Sequence, residues 1–83
     1  MFTDIYAIKD ELAELWSNVF CLNGKTAQRT FQFMAKEKAE AECKDQKIYL
    51  LGRFNKDEGT ISLLEDPAMV YDLEKGWKEF HNA

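Results

Sequence analysis

Apolar and polar residues along the chain change period several times, and each change marks an element. Phe2 to Ile8 is rich in aromatic and β-branched residues and reads as a strand, followed by a polar excursion from Lys9 to Glu14 around Leu12 and Ala13. Leu15 to Leu22 reads as the returning strand, ended by Asn23-Gly24, where Asn23 is a candidate cap for the helix that follows. That helix is predicted from about Lys25 to Glu42. Ala27, Phe31, Met34 and Ala35 form its apolar stripe with Lys38 beside it, and Lys25, Arg29, Gln32 and Lys36 lie on or near the exposed side. Phe33 falls off the stripe. After a link from Cys43 to Gln46, the run from Ile48 to Phe54, the polar turn Asn55-Lys56-Asp57-Glu58-Gly59 and a restart from Thr60 to Leu64 make a β-hairpin.

Beyond the hairpin, Asp66-Pro67 offers a cap followed by proline at a first helical position. Met69, Val70, Leu73, Trp77 and Phe80 then recur every three to four residues, so an amphipathic helix interrupted at Gly76 is predicted over 67–83. The order is β-β-α-β-β plus a terminal helix. The expected fold is α+β, a small antiparallel four-stranded sheet with one covering helix and a short C-terminal helix, in a single domain with a core over 1–66.

Alternation assigns the faces of that sheet. Ile48, Leu50, Gly52 and Phe54 share one side and belong under the helix, whereas Lys47, Tyr49, Leu51 and Arg53 share the other. In the returning strand Trp16 and Phe20 fall on one face, with Val19 and Cys21 on the opposite one. A sheet apolar on both sides needs two covers. The C-terminal helix, a second subunit or stacked bases would each serve as the second.

Composition narrows the class. A chain of 83 residues that is 46% hydrophobic and 31% charged is globular, and it buries too small a share of its surface to be very stable alone. A homodimer is therefore expected. No apolar run approaches the roughly 20 residues that span a bilayer, so a soluble protein with no membrane partner is expected. Met1-Phe2-Thr3-Asp4 carries an acid where a secretory signal carries basic residues and reads as the mature start. Cys21 and Cys43 have no metal-site spacing and are expected to be reduced structural thiols.

The net charge of −4 argues at first against a nucleic-acid partner. Its distribution argues the other way. Leu15 to Lys36 contains Lys25, Arg29 and Lys36 and no acid, and Gln46 to Lys56 contains Lys47, Arg53 and Lys56 and no acid. A single-strand binder combines such a cationic track with aromatic rings on which bases stack, each worth about 1–3 kcal/mol. Tyr49 between Lys47 and Arg53 has that form, and Trp16, Phe20 or Tyr6 on neighbouring strands would extend it. Burial tendencies favour core positions for Trp16 and Phe20. The helical cations Lys25, Arg29 and Lys36 make a second track, placed by this layout on the opposite face.

Catalytic chemistry finds no foothold in the sequence. His81 is the only histidine, near the C-terminus, where it reads as a frayed surface group. The glycines are scattered, and Glu37, Glu40 and Glu42 read as a solvated helical face; neither enzymatic activity, a metal nor a cofactor is expected.

Four stretches carry a family resemblance: Ile5-Tyr6-Ala7-Ile8-Lys9, Trp16-Ser17-Asn18-Val19-Phe20, Asn23 followed by Ala27-Gln28-Arg29-Thr30-Phe31, and Ile48-Tyr49-Leu50-Leu51-Gly52-Arg53-Phe54-Asn55. In this order the chain resembles the small nonstructural protein of gokushovirus-type microviruses, phages with circular single-stranded DNA genomes, over about Phe2 to Pro67. It departs from that pattern at Val19, where Pro or Phe is usual, at Arg53, where an acid is common, and at Asn55, which stands for Asp; the tail from Met69 to Ala83 lies outside it. The resemblance implies a DNA-binding protein of the infected bacterial cytoplasm, acting in viral genome synthesis or packaging, with capsid or replication proteins as further partners. The nucleic-acid-binding residues expected are Lys47, Tyr49, Arg53, Lys25, Arg29, Lys36 and Trp16. A different class of function stays open: a protein-interaction module that docks a viral or host protein through its apolar sheet face and C-terminal helix.

Overall fold

The computed structural model describes residues 1–82. Five antiparallel strands form one sheet: β1 (Phe2–Asp10), β2 (Leu15–Trp16), β3 (Phe20–Leu22), β4 (Gln46–Asn55) and β5 (Thr60–Asp72). β1 and β4 are central, β2 and β3 flank β1, and β5 lies beyond β4. Three helices, α1 (Ala27–Glu37), α2 (Glu40–Cys43) and α3 (Leu73–His81), accompany the sheet among the described residues. The class is α+β, as the periodicity predicts, but the sheet has five strands rather than four and the helical layer three pieces rather than two.

The extra strand comes from a break in the predicted returning segment. Ser17 N donates to the Ile8 carbonyl at 2.7 Å and Ser17 Oγ accepts from Ile8 N at 2.8 Å, so a serine side chain replaces a rung of the ladder. Lys9 pairs with Trp16 but Tyr6 with Phe20, an offset of one residue across the break. Such an offset reverses which side chains face the core.

The core lies between the sheet and the helices. Phe31 and Ala35 of α1, with Ala27 at its start, pack with Tyr6, Ile48, Cys43 and Leu73. Phe31 meets Tyr6 edge-on, centroids 5.0 Å apart, and lies 5.8 Å from Tyr71. Cys43 is buried and its thiol is held above its ordinary pKa, mainly by that burial, while Cys21 is exposed; both are free thiols.

α1 is shorter at both ends than predicted. Asn23 Oδ1 accepts from Lys25 N at 2.9 Å, closing the turn before the helix, and Thr26 takes the N-cap position. At the other end Lys38 and Ala39 are extended, and α3 supplies partners for the last carbonyls of α1. Trp77 Nε1 donates to the Lys38 carbonyl at 3.1 Å, and His81 Nε2 lies 3.1 Å from the Lys36 carbonyl with its ring stacked on Trp77 at 4.4 Å. His81 is thus a helix-clamping residue rather than a frayed one.

The terminal helix starts six residues later than the Asp66-Pro67 signal predicts, at Leu73. Pro67 sits in an irregular stretch of β5 between the Gly52–Leu63 and Leu50–Ala68 pairs, where no ladder N–H is required of it. Met69 pairs with Tyr49 in the sheet. Gly76 does not interrupt α3: it is buried, and a β-carbon there would stand 2.8 Å from Cζ of Tyr71, so the glycine lets the helix close on that ring. Ala83, the last residue of the predicted helix, lies outside the described residues. The helix is capped by Asp72, whose Oδ1 accepts from Lys75 N at 3.1 Å. Asp72→Ala is expected to cost about 1 kcal/mol and to lower the thermal midpoint by about 4–8 °C; a melt followed by circular dichroism checks it.

All three helices lie on one side of the sheet, which keeps the molecule thin, at 44 × 26 × 17 Å. The other side of the sheet has no helical cover, and that is where the candidate chemistry lies.

Candidate nucleic-acid interface

Lys9, Lys47, Trp16 and Tyr49 meet on the uncovered face, near the end of the sheet that holds α3 on its other side. Lys9 is paired directly with Lys47 in β4 and with Trp16 in β2, and Tyr49 pairs with Ala7 in β1. Directly paired residues share a face. The Trp16 and Tyr49 rings are 5.1 Å apart at 63°, and Lys9 Nζ lies 5.5 Å from the Trp16 ring centroid. Trp16 is 44% exposed, so the predicted core position is corrected: the one-residue offset in the returning segment leaves Trp16 on the open face and sends Phe20 to the core, where it meets Tyr6 at 6.0 Å.

Glu11 completes this group. The Tyr49 hydroxyl donates to Glu11 Oε1, and Lys9 Nζ is 3.7 Å from Glu11 Oε2. The hydrogen bond from Tyr49, with the nearby lysines, holds the Glu11 carboxyl below its ordinary pKa, and the same bond pushes the Tyr49 phenol up. Tyr6, by contrast, is buried in the core with its hydroxyl 3.2 Å from Asp4 Oδ2, and burial and Asp4 push its phenol up to about 12. It offers no stacking surface.

Arg53 does not join Lys47 and Tyr49. The β1–β4 register slips between Ile5 and Tyr6, leaving Leu51 outside the ladder, and the alternation of β4 reverses beyond that bulge. Arg53 Nε therefore reaches Asp4 Oδ1 at 3.5 Å on the helix side, and its guanidinium lies 5.6 Å from the Phe2 ring centroid. Gly52 and Phe54, expected under the helix, alternate with Arg53 and so face the open side. Lys25 borders the same shallow depression as Arg53, with Phe2, Asp4, Asn23 and Gly24. Arg29 and Lys36 are exposed on α1. The seven expected residues thus divide: Lys47, Tyr49 and Trp16 on the open face, and Lys25, Arg53, Arg29 and Lys36 on the helix side.

Sequence reading missed Lys9 and Glu11. Both fall where the first strand was expected to have ended; the signal available was Lys9 at even spacing from Ile5 and Ala7, on the face opposite Tyr6 and Ile8. The same open face carries Ile61, paired with Phe54, and Leu63, paired with Gly52, 60% and 72% exposed, together with Met69 beside Tyr49.

Among the described residues no group of three His, Cys, Asp or Glu side chains is placed to hold a metal ion, and no helix is long and apolar enough to cross a membrane.

A family model described as Phage ORF5 protein matches residues 3–75. The chain belongs to the phage ORF5 protein family. No curated protein and no solved structure matches it. The phage ORF5 match takes in nearly the whole sheet, α1, α2 and the first residues of α3, so it runs past Pro67, where the resemblance read from the sequence stopped. Lys9, Glu11, Trp16, Lys47 and Tyr49 all fall inside it.

Proposed function

We propose that this phage ORF5 protein binds single-stranded DNA without chemistry, as the nonstructural protein of a gokushovirus-type microvirus, in viral genome synthesis or packaging in the cytoplasm of the infected bacterium. The observation that carries the reading is the Trp16–Tyr49 ring pair beside Lys9 and Lys47 on a sheet face without a helical cover. Exposed aromatic surface accepts base faces regardless of sequence, and flanking ammonium groups meet the phosphates that separate those bases. Arg53, tied to Asp4 and Phe2 on the helix side, is a weaker candidate than its place in the sequence suggested. Lys25, Arg29 and Lys36 would serve a strand that continues around the molecule or across a dimer.

The test is fluorescence anisotropy of a labelled single-stranded oligonucleotide, with duplex of the same sequence as competitor. Binding should weaken with salt, the slope of log K against log salt being about −0.7 per phosphate engaged. Lys9→Ala with Lys47→Ala should weaken binding about tenfold or more at low salt, and Lys25→Ala with Arg53→Ala should weaken it less. If the second pair matters and the first does not, the interface is on the helix side.

A protein-docking role is the second reading, favoured by the exposure of Ile61, Leu63 and Met69 on that same face. A second copy of the chain as homodimer partner, or a capsid or replication protein, would cover them. Absence of DNA binding at low salt would decide for this reading.

A further inference from the structure

Lys9 and Lys47 stand directly opposite each other on adjacent strands, a like-charge pairing that is unfavourable unless an anion lies by it. The protein supplies that anion itself. Glu11 Oε1 accepts from the Tyr49 hydroxyl and Oε2 lies 3.7 Å from Lys9 Nζ, so one carboxylate takes a phenolic donor and an ammonium together. Two acceptor oxygens meeting a phenol and an ammonium is also what the non-bridging oxygens of a phosphodiester would do at this place.

We infer that Glu11 occupies, in the DNA-free protein, the position a backbone phosphate takes in the complex, and thereby sets how tightly the open face holds a single strand. The inference rests on the DNA-binding reading and names the residue that competes with the ligand. Local structure suits an exchange confined to one side chain. The backbone at Glu11 is fixed, its N–H donating to the Asp45 carbonyl at 2.8 Å, and Asp10 Oδ1 accepts from Leu12 N and Ala13 N at 3.0 Å each, holding the β1–β2 turn. The Glu11 side chain is 30% exposed and needs only rotation about its own bonds to leave the lysine and the phenol for water. No backbone movement is required for phosphate to enter. The carboxylate also halves the positive charge that Lys9 and Lys47 bring to the empty face, so removing its charge should strengthen the attraction for phosphate.

Glu11→Gln tests this, because the amide keeps an acceptor for the Tyr49 hydroxyl and loses the charge. Affinity for a labelled single-stranded oligonucleotide at low salt should rise roughly three- to tenfold, and adding Lys47→Ala to the variant should cancel the gain. A titration of tyrosine ionisation by ultraviolet absorbance, without DNA, reads the contact independently: one phenol should ionise at lower pH in the variant than in the wild type. A wild type that binds and a variant that binds no better overturns the inference and leaves DNA binding standing. An unchanged tyrosine titration overturns it too, since Glu11 then does not hold Tyr49 in solution. If neither protein binds at low salt, the DNA-binding reading fails first, and Glu11 is only a structural partner of Tyr49.

Discussion

Replacing Phe31 with alanine should remove about 3–5 kcal/mol of stability. Phe31 is 2% exposed and joins the two layers: it lies edge-on to Tyr6 of β1 and close to Tyr71 of β5, and it is among the largest fully buried side chains. Truncation opens a cavity bounded by two aromatic rings that are themselves fixed, Tyr6 by Asp4 and Tyr71 by its contact with Gly76, so little collapse is available to fill it. At about 0.05–0.15 kcal/mol per residue a chain of this size holds only some 4–12 kcal/mol in all, and the substitution takes a large share. The thermal midpoint should fall by at least about 12 °C. A loss under about 1.5 kcal/mol, measured by urea denaturation, would mean that α1 is not seated on the sheet through this ring.

Gly52→Ala should disrupt β5 while sparing the helical core. A β-carbon at position 52 would fall 2.9 Å from the Leu63 Cα and 3.1 Å from the Ser62 carbonyl carbon, closer still to the Ser62 oxygen. These are backbone atoms of the neighbouring strand and cannot rotate away. The strand itself must shift, at about 2–3 kcal/mol by analogy with overpacked sites. Because Gly52 pairs with Leu63 in the outer part of the hairpin, the cost should be felt locally. Amide exchange should accelerate for the β4–β5 pairs from Gly52 to Thr60, with protection near Ile48 and Phe31 retained. Unaltered protection in that hairpin would contradict the packing described. The variant also separates the two proposed readings of the open face: it disturbs Ile61 and Leu63, on which a protein partner would rest, and leaves Lys9, Trp16, Lys47 and Tyr49 in place. Under the DNA-binding reading affinity for the oligonucleotide should survive it, whereas under the docking reading the association that Ile61 and Leu63 support should not.

Periodic elements were legible in the sequence. The stripe of Ala27, Phe31 and Ala35, the hairpin turn closed by Gly59, and Tyr49 on the face away from the helices all follow from local spacing. What was not legible is each place where a strand gains one residue on its neighbour. The slip beside Ile5 and Tyr6 turns Arg53 away from Lys47, and the offset between Trp16 and Phe20 separates two aromatics that alternation had placed together. Both depend on the partner strand, so no local pattern contains them. The start of α3 differs for a related reason: Met69, Val70 and Leu73 fit a helical stripe, but Met69 pairs with Tyr49 and Val70 follows it within β5 at the register shift, and Asp72 rather than Asp66 supplies the cap. Glu11 falls in the stretch that reads as a polar excursion between strands, although its place two residues after Lys9 brings it to the same face. The family resemblance read from the motifs is supported at the level of a phage protein family.

The central claim is that the Trp16 side of the sheet is where single-stranded DNA lies, and the two tryptophans provide internal reporters. Trp77 donates its indole N–H to the Lys38 carbonyl within the helical layer, whereas Trp16 is on the open face. In a nitrogen-15 heteronuclear NMR titration with a short single-stranded oligonucleotide, the Trp16 indole resonance should shift progressively to saturation while that of Trp77 stays in place. A Trp16 resonance that does not move at saturating oligonucleotide would contradict the account.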